Sequence, residues 1–242
     1  MRESEGMSKP LYEQALVMGE SKIHMKSSKR RAILEAMKEM RRHRSELVEY
    51  IKRNPEFQYS LNPIEISHDA PRIVQVMAGS SKTAGVGPMA SVAGALADLG
   101  LEAALREQAK TAIIEDGGEI AAFVDQPILV SLISCSTHVL GRLGFRITKE
   151  DCPIGIGTSS SKTGHALSFG EADSVTVVAD KASLADAAAT AICNSVIGKN
   201  VEESIQLGLK RAQSIESVRG VLIVREDRTG MLGRLPKIVS VK

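Results

Sequence analysis

The stretch Ile113–Ile120, IIEDGGEI, decides how the middle of the chain folds. Two apolar runs meet at two acids and two glycines. Such runs broken by Gly-Gly read as two strands and a tight turn, because paired glycines accept φ values closed to other residues. The pattern predicts strands over 111–114 and 120–124. The same glycines leave bare amides, which suit a ligand as well as a hairpin. Two other segments bear on that choice: AGVGPMASVAGALADLG (84–100) and SLADAAATAICNSV (183–196).

The 242 residues are 43% hydrophobic, enough for a sizeable core. Aromatics are 3% and Trp is absent, so that core is built from Ala, Val, Ile, Leu and Met. Net charge is +2, from 31 basic and 29 acidic groups, which gives no electrostatic case for a nucleic-acid partner. The one basic block, Lys26 to Arg44, has no interleaved aromatics and reads as the solvated face of a helix. Cys135, Cys152 and Cys193 form no CxxC pair, which fits a reducing compartment. The N-terminus has no apolar signal core, and no apolar run reaches about 18 residues. These features predict a cytoplasmic protein with no membrane partner.

Residues 1–24 are loosely patterned and read as an arm; residues 25–242 read as a single domain. A long helix is predicted over 28–53, from Ile33, Met37, Met40, Leu47 and Ile51, with Asn54-Pro55 as its stop. Ile73–Met77 reads as a strand and Ala78–Gly87 as a Gly/Ser loop. A helix starts near Pro88 and stops at Gly100, with a second over 101–109. Further strands are expected over 127–133 and 174–178, with irregular chain after Cys135. Helices follow over 184–196 and 201–214. Residues 221–224 and 238–241 bracket a closing hairpin with a long connection. This order predicts an α+β or mixed α/β fold, an antiparallel or mixed sheet flanked by helices.

No GxGxxG opens a helix, no GxxxxGK[ST] is present, and there is no HExxH. Two Ser/Gly-rich segments, Ala78–Gly87 and Thr158–Gly170, each carry hydroxyls and one Lys, Lys82 and Lys162. That mixture suits phosphate oxygens. His165, in the second segment, is the candidate proton carrier. Asp186 and Thr190 lie four apart and share a helix face. A carboxylate and a hydroxyl so placed suit a hard cation. Equally, Asp186 reads as a first-turn acid behind a Ser183 cap.

Taken in order, GVGPMASVAGALADL (85–99), TAIIEDGGEIAAF (111–123), GIGTSSSKTG (155–164) and SVTVVADKASLADAAATAICNSV (174–196) resemble the ApbE-like superfamily of flavin transferases and flavin-binding relatives. From about Tyr12 to Val241 the chain is similar to one uncharacterised branch, UPF0280. The resemblance implies an ApbE-like fold with a long N-terminal helix. It implies Mg²⁺ held by Asp186 and Thr190, since Ala185–Thr190 matches ADAxxT in full. It places Gly85 and Gly87, the turn Gly117-Gly118-Glu119, and Thr158, Ser159, Ser160, Lys162 and Thr163 around a ligand. FAD or FMN is the implied cofactor. Glu115 and Asp116 rank below Asp186 as metal ligands.

Two departures are visible. Pro88 stands where flavin transferases carry Lys, and 160–173 lacks their Asp-Pro. A pocket for a phosphate-bearing ligand, flavin or nucleotide with Mg²⁺, is therefore expected ahead of the full transfer reaction. The alternative is a non-catalytic binding or assembly component in sulfur-amino-acid or one-carbon metabolism. Ala/Gly-rich helices also suit a homo-oligomer.

Overall fold

Among the described residues, two antiparallel sheets and one layer of helices organise the fold. The computed structural model describes residues 10–132, 143–161 and 169–241. In chain order, β1 (Tyr12–Met18) and β2 (Ser21–Ser27) form a hairpin. Four helices follow: α1 (Arg30–Arg53), α2 (Glu56–Tyr59), α3 (Arg72–Ala84) and α4 (Val92–Arg106). Then come β3 (Ala112–Asp116), β4 (Glu119–Phe123), β5 (Ile128–Ser131), β6 (Leu143–Ile147), β7 (Ile154–Ser159) and β8 (Ser174–Ala179). Helices α5 (Ala182–Ser195) and α6 (Val201–Gln213) precede β9 (Val218–Arg225), β10 (Arg228–Gly233) and β11 (Lys237–Ser240).

The large sheet has eight strands in the order β1-β2-β3-β4-β7-β8-β9-β10; the small one is β11-β6-β5. Helices cover one face of the large sheet. Ile23, Met25 and Ile114 meet α1, α3 and α4 there, and Val175, Val177 and Ile223 meet α5 and α6. On the opposite face Ile154, Ile156, Val178 and Leu222 pack with Phe145 and Ile147 of the small sheet. Strand β8 is buried at all six positions for this reason. A strand covered on both faces reads as a continuous apolar run.

The α+β expectation holds, and so does the long helix. In α1, Ala32, Ile33, Ala36, Met40, His43 and Leu47 face the core. Several local expectations change. The loosely patterned arm becomes, from Tyr12, a hairpin on the sheet edge, so the 24/25 boundary falls inside β2. The strand expected over 73–77 and the loop after it are one helix, α3. Its buried positions Ile73, Val74, Met77, Ala78, Ser81 and Ala84 keep a helical period, which overrides the β-branched run. Gly100 does not stop α4, which continues to Arg106. Leu143–Ile147, expected to be irregular, is β6. The closing hairpin is tight, β9 with β10, and β11 joins the other sheet.

Residues Pro88–Arg106 are long and apolar enough to cross a membrane by composition, and 61% of that window is buried inside the protein. Contacts with α1, β3, β4 and α5 mark this segment as a core helix.

Candidate functional site

The β3–β4 turn is the tight hairpin that its sequence predicts. Gly117 has φ 67° and Gly118 φ 116°, the positive pair that a two-residue turn with strand-matching twist requires. The turn makes Asp116 and Glu119 a cross-strand pair, so their side chains share one face. That face meets α4 and α5.

Helix α5 approaches this face very closely because β7 carries Gly155 and Gly157. A Cβ on Gly155 would lie 2.0 Å from the Lys181 carbonyl carbon. One on Gly157 would lie 2.5 Å from the Ala185 carbonyl carbon and the Asp186 nitrogen. Neither neighbour is a side chain that can move aside. The close approach carries Asp186 to the acidic end of the hairpin. Its carboxylate accepts a hydrogen bond from the Gly94 amide of α4 at 3.0 Å. Thr190 lies one turn further along α5 and is 8% exposed.

Asp98 of α4 completes the arrangement. It accepts from the amides of Ala182 at 2.8 Å and Ser183 at 3.0 Å, so it caps α5. The expected Ser183 cap is corrected: Lys181 occupies the N-cap without a side-chain bond, and the first-turn donors go to Asp98.

Burial governs the electrostatics. Asp116 is 0% exposed, and the Ser21 hydroxyl and the Arg44 charge offset its burial only in part. Burial pushes its pKa up to about 6. Burial also raises Glu119, reinforced by the charge of Asp116 and offset in part by the Thr158 amide. Asp186 is held well above the usual carboxylate range by burial first and by the charge of Glu119 second. Burial raises Asp98 as well, against the pull of the Ser183 hydroxyl and of its two amide partners. Acids this close resist simultaneous ionisation, and a cation or shared protons would relieve them.

The predicted site residues therefore separate into groups. Glu119, Asp186 and the Thr158 amide come together beside Gly117 and Gly118. The Thr158 hydroxyl instead meets Thr176 at 3.1 Å, and Ser159 is buried with an unpartnered hydroxyl. Ser160 opens the segment after β7. Lys162, Thr163 and His165 lie outside the described residues. Gly85 ends α3 with φ 68° against Arg211, whose guanidinium donates to the Ala84 carbonyl at 2.5 Å. Gly87 sits tight against the Ser60 carbonyl. These two glycines thus adjoin α6 and the residue after α2. Among the described residues, no three His, Cys, Asp or Glu side chains converge as a metal-holding group.

Sequence reading ranked Asp116 below Asp186 and passed over Asp98. The signal for Asp116 was its place opposite Glu119 across a two-residue turn. For Asp98 it was an acid inside the apolar segment ALADLG.

Comparisons with known proteins agree with this architecture. Residues 8–216 match the protein-family model described as AbpE bacteria. The UPF0280 protein of Methanocaldococcus jannaschii is 38% identical over 231 residues, covering 95% of this chain and 93% of its own. That of Methanothermobacter thermautotrophicus is 41% identical over 225 residues, covering 93% and 86%. Among solved structures, the ApbE protein of Thermotoga maritima aligns with a TM-score of 0.58 at 14% identity, covering 96% of this chain and 97% of that one. The apo flavinyl transferase ApbE of Pseudomonas stutzeri gives 0.54 at 13% identity, covering 96% and 94%. At such identities the likeness is one of fold. The chain belongs to the UPF0280 family, a divergent branch built on the ApbE-like fold.

Proposed function

We propose that this protein binds a phosphate-bearing ligand of the flavin or nucleotide class, with Mg²⁺, where the β3–β4 turn meets α5. The observation that carries this reading is the uncompensated acid cluster. Asp116 is buried with only the Ser21 hydroxyl turned to it, and Glu119 and Asp186 stand beside it with no ion pair among the described residues. Burying such groups is costly unless a cation or shared protons compensate them.

The donor set fits Mg²⁺. Asp186 and Thr190 offer a carboxylate and a hydroxyl from successive turns of one helix. Mg²⁺ is usually bound through one or two carboxylates, with waters and ligand phosphates filling the shell, so a three-acid cage is not needed. When bound, the ion would neutralise charge on a phosphoryl oxygen. Glu119 would stay oriented by the Thr158 amide, and Asp186 by the Gly94 amide. The bare turn at Gly117-Gly118 would let ligand approach the backbone. Lys162, Thr163 and the proton carrier His165 are proposed partners from the adjoining segment. The three cysteines form no CxxC pair, which fits a reducing compartment, and we place the protein in the cytoplasm on that ground.

The test is calorimetric titration of the intact protein with FAD, FMN and ATP, with and without Mg²⁺, followed by product analysis. Mg²⁺-dependent binding that Asp186→Asn and Thr190→Val weaken by about tenfold or more is expected. Failure of all three ligands to bind with Mg²⁺ would sink the reading.

A further inference from the structure

We propose that the cleft between α3 and the start of α5 is a second binding site, for the phosphate group of a small phosphorylated molecule, independent of Asp186 and Thr190. The cleft has a volume of about 380 Å³, within the range of small-molecule sites. Arg72, Gly79, Ser80 and Thr83 line it from α3, and Lys181 and Ser183 from α5. This is the Ser/Gly-rich segment that sequence reading marked for phosphate. It folds as a helix and not as a loop, and so presents its small and hydroxyl residues as a wall.

Three observations converge. The first is charge. Lys181 and Arg72 bring two cations to one cleft, and Arg72 reaches its carboxylate neighbour Glu102 only at 3.5 Å. Phosphate offers several oxygens, which two cations and nearby hydroxyls can share.

The second is the set of hydroxyls. Ser80 and Thr83 line the cleft. Ser183, behind them, is 0% exposed and its hydroxyl turns to Asp98. The Asp98 oxygens also accept from the Ala182 and Ser183 amides. Those amides are already used, so the attraction comes from side chains and not from the helix terminus.

The third is Gly79. It lies inside α3, where glycine costs about 1 kcal/mol relative to alanine. A Cβ there would meet nothing within 4 Å. No packing demand explains this glycine, in contrast to Gly155. Its effect is to keep the cleft wall low.

The experiment is calorimetric titration of the intact protein with inorganic phosphate, against sodium chloride of equal ionic strength. Saturable binding is expected. Lys181→Ala and Arg72→Ala should each weaken it by about tenfold, the scale of one charge-assisted hydrogen bond. Gly79→Leu should abolish it while holding or raising the thermal midpoint, since helix propensity improves. Asp186→Asn should leave it unchanged. Absence of saturable binding to the unaltered protein overturns the proposal. So does wild-type affinity in both Gly79→Leu and Lys181→Ala. Loss of binding in Asp186→Asn alone also overturns it, because the phosphate then sits at the acid cluster.

Discussion

Helices α1 and α5 carry acids in opposite ways. On α1, Arg42 bridges Glu39 at 2.7 Å and Glu46 at 2.5 Å, near the solvent-facing side. The Arg42 hydrogen bond draws the pKa of Glu39 below its ordinary value. On α5, Asp186 faces Glu119 and Asp116, and burial drives all three upward. Their glycine contacts differ in the same sense. Where α4 meets α1, a Cβ on Gly100 would touch the flexible side chain of Met40; where β7 meets α5, one on Gly155 would strike backbone. Paired surface acids are solvated structure. Buried acids with no ion pair, held by an inflexible contact, are costly to keep, and that cost is what the proposed cation would relieve.

The largest effect should come from the contrast of glycines. Gly155→Val is expected to cost about 3 kcal/mol or more in urea unfolding, whereas Gly100→Ala should cost less than about 1.5 kcal/mol. Equal costs would erase the distinction between the two helix contacts.

The next effect concerns pH. The pKa of Asp116 rises from 3.8 to about 6 on folding, so the folded state holds its proton more tightly. That contribution is fully present below about pH 4 and is lost as pH rises through about 6, a change on the order of 2–3 kcal/mol. Thermal midpoints should therefore fall across this window, and Asp116→Asn should flatten the fall. An unchanged slope in that variant would remove Asp116 from the cluster.

At pH 8, above the raised pKa of Asp116, Mg²⁺ should raise the thermal midpoint. The gain should follow mass action, about 2.7 kcal/mol at a hundredfold excess over Kd, and should vanish in Asp186→Asn. A midpoint indifferent to Mg²⁺ in the unaltered protein would count against the cation. Smallest of all, Arg42→Ala should cost less than about 1 kcal/mol, and added salt should shrink even that. A larger, salt-insensitive loss would make α1 resemble α5.

Much of the fold was legible because period and punctuation agreed. Ile33, Met40 and Leu47 drew α1, and Gly117-Gly118 drew the hairpin. Helix α3 was misread because Ile73-Val74-Gln75-Val76 has strand composition, and the helical period shows only when Met77, Ala78, Ser81 and Ala84 are read with it. The edge strand β1 was missed because most of it is exposed, so its residues carry little apolar alternation. At the site, the Asp186–Thr190 spacing was readable within one helix. The meeting of Asp116 with Asp186 was not, since it depends on how closely β7 admits α5.

The order of strands also has a consequence in time. Strands β3 and β4 are joined by two residues and can close within microseconds. Strands β2 and β3 are neighbours too, yet the Ser27 hydroxyl reaches the Thr111 carbonyl across 84 residues that include α1 to α4. Contacts this distant in sequence wait on loop closure and form late. Asp116 pairs with Ile23 of β2 and so stays hydrated until that closure. The acid cluster is thus assembled at the end of folding, and the unfavourable burial of its charges falls after the rest of the core can hold it.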